Sequence, residues 1–210
     1  NQTKPFDNPT VRQALNYLVP RSQLLNSIYF NTARITKSPI SEIYPGYTDA
    51  YYHFDYDIAK AKALLQEAGL DGGFKTELGY RTGDQIEEEI AVVLKTEFAK
   101  VGVDVELQKL PASTLVERYT QGKIPMYFFR DMAIVPDAAY VANLWLNSAS
   151  LINYSRFKNE EVDRLINESL ISIDETARLK AMARVQQIVM EEAPWVFLFN
   201  PGYQLATRSC

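Results

Sequence analysis

One stretch of this chain constrains the fold more than any other: an alternating segment, a long amphipathic segment and a second alternating segment in direct succession. Phe74, Thr76, Leu78 and Tyr80 fall on every second position, the period of a strand with two unlike faces. Asp84 and Glu87 have capping-box spacing for the helix that follows, whose inner side is expected to carry Ile86, Ile90, Val93, Leu94, Phe98 and Val101. Gly102 supplies a left-handed terminator, after which Val103, Val105 and Leu107 alternate with Asp104, Glu106 and Gln108. Strand, crossover helix and strand form a βαβ unit, which requires a parallel pair and helices to cover it. An α/β domain is the expected architecture.

The flanking segments agree with that class. Asp7-Asn8-Pro9 opens a first helix with Val11, Ala14, Leu15 and Leu18 at helical spacing, and Pro20 stops it. A short helix is expected over Ser22–Tyr29, and another from Asp57 with Ile58, Ala61, Leu64, Leu65 and Ala68 on one face. Between them, residues 31–56 read as an extended connection rich in tyrosine (Tyr44, Tyr47, Tyr51, Tyr52, Tyr56), broken by Pro39, Pro45 and Gly46. Further along, Ser113 starts a helix to about Gln121 with Leu115, Val116 and Tyr119 inward, and Met126–Phe129 is a short apolar strand. Asp137 caps Ala138–Leu146, Asn159 starts a helix to about Ile171, and Ser172 with Glu175 boxes a longer one to Glu192. Trp195–Asn200 and Gln204–Thr207 read as closing strands around Pro201-Gly202. No repeat, low-complexity tract or linker divides the chain, so residues 1–210 are expected to form a single α/β domain.

Composition narrows the function classes. The 210 residues are 47% apolar and 23% charged, the profile of a folded domain rather than a disordered one. Lys plus Arg number 22 against 26 Asp plus Glu, a net charge of −4, and the pI is about 5.2. There is no basic field for a phosphate backbone or anionic lipid, which argues against a nucleic-acid partner. Unbroken apolar runs such as Trp195–Phe199 are far shorter than the ~20 residues of a membrane-spanning helix. The N-terminus has no charged start, apolar middle and small-residue cleavage site, so either the protein stays inside the cell or the chain lacks its true beginning. A single cysteine, Cys210, and a single histidine, His53, leave no internal disulfide and almost nothing for a zinc site.

Ligands of open α/β sheets collect at the carboxyl ends of strands. That rule directs attention to Met126–Asp137, where an apolar strand runs into Arg130-Asp131, then Met132, Ala133, Ile134 and Val135, then the helix cap at Asp137. A charged pair beside apolar side chains suits a ligand that is partly polar and partly apolar. The alternative is that Arg130 and Asp131 pair with each other or with neighbours, while Asp137 is read as a simple cap. Glu87-Glu88-Glu89 is read as a solvated first turn, because consecutive residues point in different directions around a helix. His53 is expected to be a surface or packed residue, and the tyrosines to pack rather than stack on ligand. Nucleophile elbows, zinc motifs, Walker loops and dinucleotide fingerprints are all absent.

Five strings, in order along the chain, resemble the extracellular solute-binding proteins of bacterial ABC importers, in the peptide- and nickel-binding family 5. They are Asn1–Leu15, ending in Val-Arg-Gln-Ala-Leu; Tyr56-Asp57 with Lys60–Gly69; Lys100-Val101-Gly102-Val103 with Val105-Glu106-Leu107; Asn153–Arg156 with Asn159–Asp163; and Glu192–Trp195 with Leu198-Phe199 and Pro201-Gly202. The resemblance implies a lobe of the type II periplasmic-binding-protein class, with a mixed, mostly parallel sheet flanked by helices. It implies the second, C-terminal lobe of a two-lobed protein, separated from its signal, its N-terminal lobe and a short C-terminal tail, with Asn1 and Cys210 close together at the hinge.

The implied function is capture of a peptide-like or amphipathic small solute and delivery to ABC permease membrane subunits, on the periplasmic or extracellular side, without enzymatic chemistry or a cofactor. A stand-alone interaction module of the same fold, or a small hydrolase, are the competing readings. In peptide-binding members, a Gly-Trp-x-x-Asp-Tyr-Pro-Asp-like stretch supplies an aspartate for the peptide's amino terminus. Aligned on Pro136-Asp137, Ile134 stands where that aspartate would be and Asp131 where the tryptophan would be. An ammonium facing Ile134 would be unpaired, which leaves Asp131 as a substitute, or a solute other than an ordinary peptide. Arg130, Asp131, Met132 and Ile134 are the ligand-binding residues expected on this basis.

Overall fold

The computed structural model describes residues 2–130 and 135–202. Helix α1 (Pro9–Tyr17) begins where the Asn8 side chain accepts the Thr10 N–H at 2.9 Å, and α2 (Arg21–Ser27) follows at once. Strand β1 (Ala33–Ile35) precedes the tyrosine-rich segment, and α3 (Ile58–Glu67) starts from Asp57. The predicted βαβ unit is present as β2 (Phe74–Arg81), α4 (Gln85–Ala99) and β3 (Val103–Leu110). It is followed by α5 (Ala112–Thr120), β4 (Met126–Tyr127), α6 (Ala138–Trp145), α7 (Glu160–Ile171), α8 (Glu175–Glu192) and β5 (Phe199–Pro201).

Strands run in the order β3-β2-β4, all parallel, with β2 and β3 in register from Phe74↔Val103 to Arg81↔Leu110 and Leu78 opposite Met126. Gly73 and Gly102 stand at the foot of the β2–β3 pair, and a Cβ on Gly73 would lie 1.9 Å from the Gly102 carbonyl oxygen. That approach requires glycine. A second, two-stranded sheet pairs β1 with β5 antiparallel, Ala33 opposite Pro201. The stretch 31–56 therefore contains a strand that its sequence does not announce.

Several local expectations are corrected. Helix α8 is capped by Asp174, whose carboxylate accepts the Ala177 N–H, and not by Ser172. Ile86 and Val116 lie on exposed sides of their helices. Glu87 is buried at 3% exposure, not part of a solvated face, whereas Glu89 is exposed as expected. The closing segment contains only β5 among the described residues; Gln204–Thr207, Asn1 and Cys210 lie outside them.

Among the described residues two large apolar cores result, beside a small cluster of Leu115, Tyr119 and Ile124. One lies under the parallel sheet and includes Leu15, Leu18, Leu65, Leu78, Phe98 and Val103. The other gathers α6, α7 and α8 around Phe54, Phe157, Ile166 and Met182, with Tyr44, Tyr47, Tyr51 and Tyr52 packed against it. A polar seam joins them. Arg12 donates to the carbonyls of Phe6, Glu192 and Ala193, Asn16 donates to Trp195 and accepts from the Phe197 N–H, and Arg21 donates to Phe197, Phe54 and Asn16. Arg12, Asn16 and Arg21 are all buried, and main-chain carbonyls supply the acceptors that buried donors require.

Candidate functional site

A cleft of about 1040 Å³ opens beside β4 and the residues at its carboxyl end, with Leu78 of β2 in its lining. Its walls come from the end of α5 and Gly122, the segment Met126–Arg130, the turn Tyr154–Arg156, the run Pro194–Phe199, and β1 with the residues after it. Short strands and tight turns form most of this lining, so side chains from distant parts of the sequence meet there.

Of the four expected ligand residues, Arg130 lines the cleft; Asp131, Met132 and Ile134 lie outside the described residues. Arg130 is tied to the start of α4: it ion-pairs with Asp84 and sits 3.4 Å from Glu87. Asp84 meanwhile caps α4 by accepting the Glu87 N–H at 3.0 Å. Glu87 does not complete the capping box. Its Oε2 accepts the backbone N–H of Arg81 at 2.9 Å, and its Oε1 lies 3.1 Å from Arg81 Nη1 without hydrogen-bond alignment. Burial raises the Glu87 pKa, and the nearby Arg81 and Arg130 charges only partly oppose it. Tyr29, whose ring packs 4.9 Å from that of Phe199, has its hydroxyl pKa raised by burial, with Arg130 again opposing.

Asp137 is a cap as expected, accepting the Tyr140 N–H at 2.9 Å and ion-pairing with Arg178. His53 is exposed, with its ring centroid 4.3 Å from that of Phe54 and Nδ1 2.8 Å from the Tyr51 carbonyl oxygen. Tyr56 is drawn away from the cleft, its hydroxyl donating to Glu97 and accepting from Lys100 Nζ at 3.2 Å. Among the described residues, no group of three or more His, Cys, Asp or Glu side chains is placed to hold a metal ion, and no helix is long and apolar enough to cross a membrane.

Sequence reasoning missed a cluster of rings on one wall. Tyr119 and Tyr127 stack at 4.6 Å with 15° between planes, and Tyr154 lies 5.0 Å from Tyr119. Phe129 stands edge-on to Tyr119 at 6.2 Å and to Tyr154 at 5.8 Å, and is 41% exposed. The one available signal was the spacing of Tyr127 and Phe129, two positions apart in the apolar run Met126–Phe129.

Residues 1–152 match the middle region of the bacterial extracellular solute-binding proteins, family 5. The chain is 30% identical over 198 residues to heme-binding protein A of Haemophilus influenzae, covering 91% of this chain and 36% of that protein. It is 28% identical over 209 residues to the probable D,D-dipeptide-binding periplasmic protein DdpA of Escherichia coli, covering 98% and 40% respectively. The periplasmic binding protein DppA of Helicobacter pylori, solved with the peptide STSA, superposes with a TM-score of 0.90 at 27% identity, over 95% of this chain and 40% of that one. The chain thus spans about two fifths of the length of these relatives.

Proposed function

Because the chain belongs to the bacterial extracellular solute-binding proteins of family 5 and has the fold of type II periplasmic binding proteins, we propose that it is the C-terminal lobe of a two-lobed receptor. That receptor captures a peptide-like or amphipathic solute outside the cytoplasmic membrane and delivers it to the membrane subunits of an ABC permease. The observation that carries this reading is the cleft of about 1040 Å³ at the carboxyl end of the parallel strand β4, where an α/β lobe presents ligand. Two lobes closing on solute give a conformational switch that a permease can read. Heme, D,D-dipeptide and peptide are named for the relatives, so the fold accommodates chemically diverse cargo.

Within the lobe, Arg130, Asp131, Met132 and Ile134 are assigned to the solute side. Arg130 is already neutralised by Asp84 and Glu87, so its part is to brace the strand end rather than to hold a bare anion. The family is one of solute-binding proteins, and the cleft is assigned capture without catalysis.

The test is native mass spectrometry of the full-length gene product, with small-angle scattering before and after solute removal. A bound small molecule and an expanded solute-free form are expected. A product that carries no solute, and stays equally compact after partial unfolding and refolding into solute-free buffer, overturns the reading.

A further inference from the structure

Four arginines line the cleft, and three are already occupied. Arg12 is turned into backbone carbonyls, Arg34 ion-pairs with Glu42, and Arg130 pairs with Asp84 and Glu87. Arg156 differs: among the described residues it has no carboxylate partner, and the one hydrogen bond of its guanidinium is a long one, Nη2 to the Thr120 carbonyl at 3.4 Å. It stands exposed on a tight turn. Its backbone sits at φ +54°, a left-handed conformation that disfavours any residue with a Cβ. Its guanidinium lies against Gly122, where an added Cβ would stand 2.5 Å from both Nη atoms.

The neighbouring wall consists of the rings of Tyr119, Tyr127, Phe129 and Tyr154, which line the same cleft. The Arg156 charge is felt at the Tyr127 hydroxyl, where it opposes the rise in pKa caused by burial. A guanidinium seated on Gly122, with no carboxylate partner among the described residues, matches a carboxylate through parallel N–H donors. A face of offset and edge-on rings matches a flat apolar group. From this combination we propose that Arg156 and the ring cluster form a subsite for an aromatic carboxylic acid, either free or as the aromatic C-terminal residue of a peptide. The assignment rests on the receptor reading above and narrows its solute class.

The test uses the full-length gene product in thermal-shift and calorimetric titrations. The probes are indole-3-acetate and the tripeptide alanyl-alanyl-phenylalanine, each compared with its primary amide. At least one acid is expected to bind about tenfold to a hundredfold more tightly than its amide, the usual worth of a hydrogen bond to a charged group. Which acid responds distinguishes a free aromatic acid from a peptide terminus. Arg156→Gly is expected to abolish the preference without lowering the ligand-free Tm, because glycine fits φ +54°. Arg34→Gln, which removes the cleft arginine already paired with Glu42, is expected to retain it. Equal binding of acid and amide, an unchanged preference in Arg156→Gly, or no response to any of the four probes overturns the subsite. A bound solute in the native mass spectrum of a protein that ignores all four leaves the receptor reading standing while the subsite falls.

Discussion

Glu87 shows how one side chain can serve two elements at once. Its spacing from Asp84 is legible in sequence, and the Asp84 half of the cap forms as read. The Glu87 half turns instead to the N–H of Arg81 at the end of β2, an acceptor site that exists only after strand and helix have packed. Three consecutive acids therefore look like a solvated turn, yet one of them is interior. Burial holds the folded-state pKa of Glu87 above the ordinary 4.5. Between those two values the folded chain binds more protons than the unfolded one, so the contribution of Glu87 is present at low pH and is lost as pH rises through the raised pKa. Glu87→Gln keeps an acceptor for Arg81 and removes the titration. Denaturant unfolding from below pH 4.5 up to neutrality should show the variant gaining stability relative to wild type as pH rises; parallel profiles would refute the assignment.

At the scale of elements, legibility follows how local the signal is. The caps at Asn8, Asp57, Asp84, Asp137 and Asn159 are all read from a few neighbouring residues, and each bonds as its spacing implies. The βαβ unit has enough length in each part for its period to register. Strands β1, β4 and β5 span two or three residues, too few for alternation, and β1 finds its partner only at Phe199–Pro201. The parallel pair offers its own test. Gly73 and Gly83 both have positive φ, +74° and +87°, but a Cβ on Gly73 meets the Gly102 backbone whereas one on Gly83 meets nothing within 4 Å. Gly83→Ala should cost about 1–2 kcal/mol of stability from conformation alone. Gly73→Ala should cost about 2–4 kcal/mol because backbone must also move. Equal losses in thermal or denaturant unfolding would mean that the strands separate at that point without strain.

Over the whole molecule, what sequence cannot supply is the meeting of remote residues. Arg130 was reachable from the rule about strand ends, and Tyr154 and Arg156 fall in one of the strings that carry the family resemblance. Nothing local says that Tyr119, Tyr127 and Tyr154 share a wall. The same holds for the polar seam. Arg12 and Arg21 look like ordinary surface arginines in their helices, yet both are buried, and desolvation lowers the pKa of each. Because Arg21 bridges α2, the Phe54 loop and the Phe197 segment, Arg21→Met leaves several buried carbonyls unpaired. We expect a loss of about 3 kcal/mol or more, with Arg21→Lys recovering only part because one ammonium cannot reproduce the fork of donors. A loss below about 1 kcal/mol in Arg21→Met would show that the two cores hold together without the seam.

The seam also bears on the order in which a nascent chain can close. Asn16 and Arg21 bond to Trp195 and Phe197 across 179 and 176 residues, and Arg12 reaches Glu192 across 180. At about 5–20 residues per second, ribosomes need roughly 10–40 s to bring these groups into existence after α1 has emerged. Until then the polar side of α1 has its only adequate partner in water, and the two cores meet through Tyr17 without the seam. A lobe built in this way stays unlocked until its last long segment has been made, and the arrival of Trp195 and Phe197 is the event that shuts it.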